Sequence, residues 1–255
     1  MQRRIFPATI GAGILMLAIG FISLITNGTG YKEYMDATER SMQSENINVN
    51  MEFDLKLDGM TKMSGTSVQN VNKPNGKIEK FYQISRYRVK DKEIVTENGY
   101  DGKNYRMKIN GKYIETSPEE QIADVAQIGY GSAWRTAVSY FAGNVKNQVD
   151  YEKNTVNVHL EGSQISSLNK VTFGMLAYMS AMPATQEEYE VYGYPEMKNI
   201  EVHTIDYRSN IHEGKLEDVN FKIIMTADDK FMMKRNIEAN FSGKFNYDRV
   251  NIPSL

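Results

Sequence analysis

The chain has 255 residues, and its 30 basic and 32 acidic side chains leave a net charge of -2. Because the basic residues occur only in short pairs, nucleic acid is not expected as a partner. The sequence has no cysteine, which excludes disulfides, thiolate metal ligands, a cysteine nucleophile and a lipid-modified cysteine anchor. We therefore expect one domain that is stabilised by its hydrophobic core.

The N-terminal segment predicts a membrane anchor. The stretch from Ile5 to Ile25 has no charged residue, and as a helix it would span roughly 31 Å, which matches the hydrocarbon core of a bilayer. Arg3 and Arg4 precede it, so the N-terminus is expected in the cytoplasm. The hypothesis is a single-pass cell-membrane protein with residues 1–30 as the transmembrane anchor and 31–255 as the extracytoplasmic domain.

A cleaved signal peptide is the alternative interpretation of the same segment. Gly28 and Gly30 supply small residues at the spacing of a cleavage site, whereas the apolar run is longer than a typical signal core. Both interpretations export everything after Tyr31.

The first half of the exported part predicts one helix and then an antiparallel meander. The spacing of apolar residues over 31–44 is typical of a helix. Apolar and polar residues then alternate, which indicates strands with one buried face, over 50–58, 63–71 and 77–89. Asp101-Gly102 and Asn110-Gly111 tolerate positive φ and predict hairpin turns on either side of an alternating segment.

The second half predicts a helical insert and a second group of strands. Ser117 and Pro118 form a helix start, and helix is expected to about Val145, with a break near Gly129 to Gly131. A further helix is expected from about Ser163 to Met182. Strands are expected over 155–161, 199–210, 214–227 and 231–247. The elements together predict an α+β fold, with a large curved antiparallel sheet and helices packed on one face, preceded by the transmembrane helix.

Three segments carry a family resemblance: NINVNMEFDLKLDG, ENGYDGKNYRMKINGKYIE and IEANFSGKFNYDRVNIP. In the order of its elements from Tyr31 to Pro253, the chain resembles the LolA-like and LppX-like lipoprotein-carrier superfamily, including its membrane-anchored Gram-positive relatives. The resemblance implies a half-barrel capped by helices, whose apolar interior holds lipid or lipoprotein acyl chains. The chain departs from many anchored relatives because it lacks the lipobox cysteine.

The sequence shows no catalytic or metal-binding motif, so an enzyme is not predicted. His159, His203 and His212 lack the spacing of a metal-binding motif, so neither a metal site nor a cofactor is expected. The sequence contains no phosphate-binding loop, nucleophile elbow or EF-hand pattern. An exported hydrolase remains a third and distant alternative, for which no catalytic residue is named.

The leading hypothesis is a membrane-tethered module of the cell envelope that binds a lipid, an acyl chain or another apolar ligand. Met175 and Met179 lie on the second expected helix of the insert, where methionine suits either varied apolar partners or ordinary core packing. The residues expected to line the ligand site are the inward-facing positions Phe53, Leu55, Met107, Val158, Met175, Met179, Phe221 and Phe241.

The alternative hypothesis is an interaction or sensing domain with a filled core that binds another envelope protein. Tyr189, Tyr192 and Tyr194 are the expected contact residues, because tyrosine is enriched at protein interfaces. Their segment, from Pro183 to Pro195, is either a lid over a cavity or a surface loop.

Overall fold

The computed structural model describes residues 31–89, 92–114, 149–152, 154–164, 198–229 and 231–253. These residues form one helix and one 11-stranded antiparallel sheet. Two short 3-10 turns occur at Pro74–Gly76 and Gly162–Gln164. The longer elements are α1 (Tyr31–Gln43), β1 (Asn46–Leu57), β2 (Met60–Asn72), β3 (Lys80–Val89), β4 (Lys92–Tyr100), β5 (Tyr105–Ile109), β6 (Lys112–Ile114), β7 (Val149–Glu152), β8 (Thr155–Glu161), β9 (Lys198–His212), β10 (Lys215–Asp228) and β11 (Lys234–Asn246).

The sheet consists of two meanders that meet at its centre. The strand order is β6-β5-β4-β3-β2-β1-β11-β10-β9-β8-β7. Every neighbouring pair is adjacent in sequence except β1 and β11, which pair antiparallel from Asn48↔Asn246 to Leu57↔Ile237. The first and last strands therefore join the two halves, and the expected antiparallel sheet is confirmed.

Hairpin turns between strands follow from residues that tolerate positive φ. Asp58 and Gly59 join β1 to β2 with φ of 50° and 78°. Asn110-Gly111 joins β5 to β6 in the same way, as expected from that dipeptide. Two consecutive residues with positive φ match the right-handed twist of the strands that they connect.

The alternation of residues gives the sheet one apolar and one polar face. On β1, Val49, Met51, Phe53 and Leu55 are buried, while the residues between them face the opposite side. α1 packs on the apolar face, where Tyr34 and Ala37 are buried. The Tyr34 hydroxyl is hydrogen-bonded to the Tyr207 hydroxyl. α1 is the one helix that the described ranges place on the sheet.

A row of aromatic side chains crosses the middle of the apolar face. Strand register aligns Tyr87, Gly65, Phe53, Phe241, Phe221 and Tyr207. Centroids of adjacent rings are 5.5 Å apart for Phe53–Tyr87, 6.5 Å for Phe53–Phe241, 6.3 Å for Phe221–Phe241 and 6.4 Å for Tyr207–Phe221. These separations lie in the favourable range for aromatic pairs. We call these five aromatic side chains the aromatic row.

Gly65 is the position in this row that has no side chain. The ring of Phe53 occupies its space, because a Cβ atom on Gly65 would lie 2.6 Å from Phe53 Cζ. The glycine therefore lets one aromatic ring extend over the neighbouring strand towards Tyr87.

The strands agree with the sequence analysis except at several boundaries. The closing strand begins at Lys234, because residues 231–233 form a turn, so its expected start at 231 is wrong. β3 begins at Lys80 rather than at 77, and β7 was not expected. The segment expected to form the membrane anchor and most of the expected helical insert lie outside the described residues. Within the described residues, no helix is long and apolar enough to cross a membrane.

Gly65→Ala is expected to lower the free energy of unfolding by about 1–3 kcal/mol, because the added methyl group would overpack against the Arg86 carbonyl oxygen and the Phe53 ring. The measurement is urea-induced unfolding of the full chain. Ser64→Ala is the matched control, because Ser64 lies one residue away and faces the opposite side of the sheet. Equal stability of Gly65→Ala and wild type would contradict the close packing of Phe53.

Candidate functional site

The expected lining residues divide into three groups in the structure. Phe53, Phe221 and Phe241 are brought together in the aromatic row. Leu55 and Met107 are buried on the apolar face but lie outside that row. Val158 pairs with Tyr207 in register, although its side chain is not among the described groups. Met175 and Met179 lie outside the described residues. The apolar ligand site as a whole thus remains a prediction.

A cluster of neutral polar side chains lies beside the aromatic row, and the sequence analysis missed it. It occupies inward-facing positions of β2, β3 and β4, starting two residues along each strand from Gly65 and Tyr87, which is about 7 Å. Each of its members is at most 1% exposed. We call it the polar cluster: Ser67, Gln69, Gln83, Ser85, Thr96 and Asn98. The sequence carried a signal for this cluster. Its members on β2 and β3 lie at every second residue from the apolar Val71 and Phe81, which places them on the same inward face.

Hydrogen bonds join part of the polar cluster. The Ser67 and Ser85 hydroxyls are 2.7 Å apart, and Gln83 Nε2 donates to both of them at 3.2 and 3.3 Å. Tyr105 donates its hydroxyl to Asn98 Oδ1 at 3.2 Å. These hydrogen bonds orient the side-chain amides of Gln83 and Asn98, but each amide keeps one polar atom without a partner.

Three amide atoms of the polar cluster are buried without a hydrogen-bond partner. They are Gln69 Oε1, Gln83 Oε1 and Asn98 Nδ2. Buried polar atoms in proteins are nearly always paired, so each unpaired atom calls for an explanation. Nearby, burial raises the pKa of Tyr87 to about 12, which keeps its hydroxyl neutral. The polar cluster therefore holds uncharged acceptor and donor atoms that have no partner.

The opposite face of the sheet carries a polar groove of about 950 Å³. Two rows of residues, aligned across the strands from β4 to β8, form its floor. We call this feature the polar groove. Its polar lining residues are Glu52, Asp54, Ser64, Thr66, Arg86, Arg88, Glu93, Asn157, His159, Asp206, Arg208, Asn220, Lys222, Asn240 and Ser242.

At the centre of the polar groove, Asp54 and Lys222 are paired with Lys56 and Glu238, which lie beside the lining residues. Beside the floor, Glu238 accepts hydrogen bonds from Asn240 and Lys56 at 2.9 and 2.8 Å, and with Lys222 these donors lower its pKa to about 2. By contrast, Arg86, Arg88 and Arg208 form no ion pair with another described residue. Among the described ranges, no group of three or more His, Asp or Glu side chains is arranged to hold a metal ion.

Comparison with known proteins gives limited similarity. No family model matches the chain, and none of the curated proteins is a significant match. Among solved structures, LprF from Mycobacterium bovis is 14% identical, with 88% of this chain and 95% of LprF covered at a TM-score of 0.36. A LolA superfamily protein from Nitrosomonas europaea is 9% identical, with 88% and 95% covered at a TM-score of 0.24.

The pKa of His159, at one end of the polar groove, is expected to lie above its ordinary value. Its Nδ1 atom is 2.6 Å from Asp206 Oδ1, and this hydrogen bond raises the pKa of His159 from 6.5. Asp206→Asn should return that pKa towards 6.5 in an NMR titration of the ring protons. An unchanged His159 titration in the variant would contradict the pairing.

The same pair predicts a small pH dependence of stability. Because the pKa of His159 is higher in the folded state, its stabilising contribution is complete below pH 6.5 and is lost as pH rises through the folded value. The side chain is 57% exposed, so solvent screening keeps the contribution small.

Proposed function

We propose that the protein is a membrane-anchored, extracytoplasmic binding module that holds an amphipathic lipid or acylated molecule against the apolar face of its sheet. The observation that carries this proposal is the position of the polar cluster, with its three unpaired amide atoms, directly beside the aromatic row. A ligand with a hydrocarbon part and a neutral polar part matches both surfaces at once. No catalytic residue is assigned.

The aromatic row supplies the contact for hydrocarbon. It crosses five strand intervals from β3 to β9, which corresponds to about 24 Å at about 4.8 Å per interval. That length accommodates an extended acyl chain lying across the strands. Each buried methylene group would contribute about 0.8 kcal/mol to binding.

The polar cluster determines which head group is favoured. Gln69 and Gln83 offer unpaired acceptors and Asn98 offers an unpaired donor, and all members of the cluster are uncharged. Transferring an ionised group to such a buried site without a counter-charge would be strongly unfavourable. Ester, amide or hydroxyl groups are therefore favoured over phosphate.

The direct test is native mass spectrometry of the full chain, purified from cell membranes in mild detergent, together with extraction of bound lipid. A co-purifying species with ester, amide or hydroxyl groups is expected. A ligand-free mass in several detergents would contradict the proposal.

Gln69→Met is expected to separate ligand binding from folding. Gln69 Oε1 has no partner, so removing the amide should leave the free energy of unfolding unchanged or raise it by up to about 1–3 kcal/mol. Loss of one ligand hydrogen bond should weaken binding of a neutral acyl ester about 2- to 10-fold. Fluorescent-ligand displacement and urea unfolding measure the two effects.

Asn70→Ala is the matched control for Gln69→Met. Asn70 is the next residue on β2 and faces the opposite side of the sheet. Unchanged affinity in Gln69→Met, with retained binding in the control, would show that the polar cluster does not contact the ligand.

The polar groove favours a second candidate function, the binding of an envelope protein. The unpaired Arg86 and Arg208 lie on β3 and β9 at its two ends, where they could pair with acidic groups of a partner and increase the rate of association.

Arg86→Ser combined with Arg208→Ser should reduce photo-cross-linking to that protein in intact cells, with bound lipid unchanged. Arg40→Ser on α1 is the control, because Arg40 is exposed outside the groove. Cross-linking at the wild-type level in the double variant would exclude this function.

A further inference from the structure

Large apolar side chains are exposed together at one end of the sheet. In the turn between β10 and β11, Phe231 is 68% exposed, Met232 67% and Met233 47%, and Met60 on the neighbouring β1–β2 hairpin is 60% exposed. Patches of this kind on a soluble domain mark contacts with proteins or membranes. We call these four residues the apolar tip.

The apolar tip is held rigidly by Asp229. Its Oδ1 atom accepts hydrogen bonds from the backbone amides of Phe231 and Met233 at 2.8 and 3.0 Å. The Asp229 amide also donates to the Met233 carbonyl at 3.0 Å. Although burial acts in the opposite direction, these amides and Arg235 lower the pKa of Asp229. The carboxylate is thus charged when it organises the turn.

Arg235 connects the two hairpins that make up the tip. Its Nε atom donates to Asp229 Oδ2 at 2.9 Å, and its Nη1 atom donates to Asp58 Oδ2 at 3.1 Å. The amide of Asn236 also donates to Asp58 Oδ1 at 3.0 Å. These contacts hold the hairpin with Met60 beside the turn with residues 231–233.

The backbone conformation of the turn shows that the fold holds these apolar side chains in solvent. Met232 has φ of 59°, a region that costs free energy for a bulky side chain. Hydrogen bonds from the turn hold it there, since the Met232 amide donates to the Asp229 carbonyl at 2.9 Å. Burial of the methionine does not compensate for this cost, because the side chain faces solvent.

The start of α1 faces the same end of the sheet as the apolar tip. Ser41, near the end of α1, accepts a hydrogen bond from the Leu216 amide at the start of β10. Tyr34, nearer the start of α1, contacts Tyr207, which pairs with Phe221 farther along β10. The helix therefore runs antiparallel to β10. The start of α1, at Tyr31, is consequently directed towards the Asp228 end of β10, which carries the tip.

The predicted anchor would bring that end to a bilayer. From Phe221 to Asp228, β10 extends about 24 Å. Residues 26–30, which connect the predicted span to Tyr31, can reach at most about 20 Å when extended. Tyr34 lies level with Phe221, and the helix rises about 4.5 Å from Tyr34 to Tyr31. About 20 Å therefore remains between Tyr31 and the level of the tip, so the tip and the predicted anchor can meet one membrane surface. The exposed Lys234 beside the tip suits the charge of anionic head groups.

We propose that the apolar tip inserts into the head-group region of the membrane that holds the anchor, and so sets the orientation of the domain on the bilayer. Phe231, Met232 and Met233 supply the apolar contact, with Met60 beside them. This inference is independent of the ligand and of the polar cluster.

The test uses the absence of cysteine from the chain, which allows one fluorophore to be attached at Phe231→Cys in the full protein. The protein is reconstituted into vesicles of phosphatidylcholine and phosphatidylglycerol that carry nitroxide quenchers on their acyl chains. Strong quenching is expected at 231, with little at His212→Cys on the turn at the opposite end of the sheet. Equal quenching at both positions, or no quenching at 231, would overturn the proposal.

A second measurement tests whether the apolar side chains cause the insertion. A fluorophore at Met60→Cys reports on the neighbouring hairpin, and Phe231→Ser combined with Met233→Ser should reduce its quenching. The double variant should keep the wild-type free energy of unfolding, because both side chains are exposed. Unchanged quenching at position 60 in the stably folded variant would contradict the proposal.

Discussion

The pairing of β1 with β11 is the constraint on which the described structure depends. It joins strands from the two ends of the domain, with Asn48 opposite Asn246 and Phe53 opposite Phe241. Neither meander could bury its inner face across the centre without this contact. Because the paired residues are far apart in sequence, loop-closure entropy opposes the contact until the rest of the sheet forms.

The same pairing places different chemistry on the two faces of the sheet. Phe53 and Phe241 meet on the apolar face, while their neighbours Asp54 and Asn240 meet on the polar face at 3.0 Å. A shift of one residue in register would exchange the two faces. The aromatic row and the polar groove are therefore two consequences of one register.

The polar cluster and the apolar tip both depart from the usual distribution of polar and apolar side chains. Gln69 and Gln83 are buried with unpaired atoms, whereas Phe231 and Met232 are exposed. Such departures are expected mainly at functional sites, because stability alone does not favour them. Their separation, one on the sheet face and one at its end, would allow the proposed ligand contact and the proposed membrane contact to occur together.

The sequence determined the local elements and the two faces, because alternation in segments such as 50–58 has the period of a strand and Asn110-Gly111 suits a tight turn. It also predicted Phe53, Phe221 and Phe241 as inward-facing residues. Only the tertiary structure decided that these three rings align, that Phe53 fills the space at Gly65, and that Gln69, Gln83 and Asn98 converge. The reason is physical: alternation specifies the face of a residue, whereas its neighbours across the sheet depend on strand order and register, and these are set by contacts between distant segments.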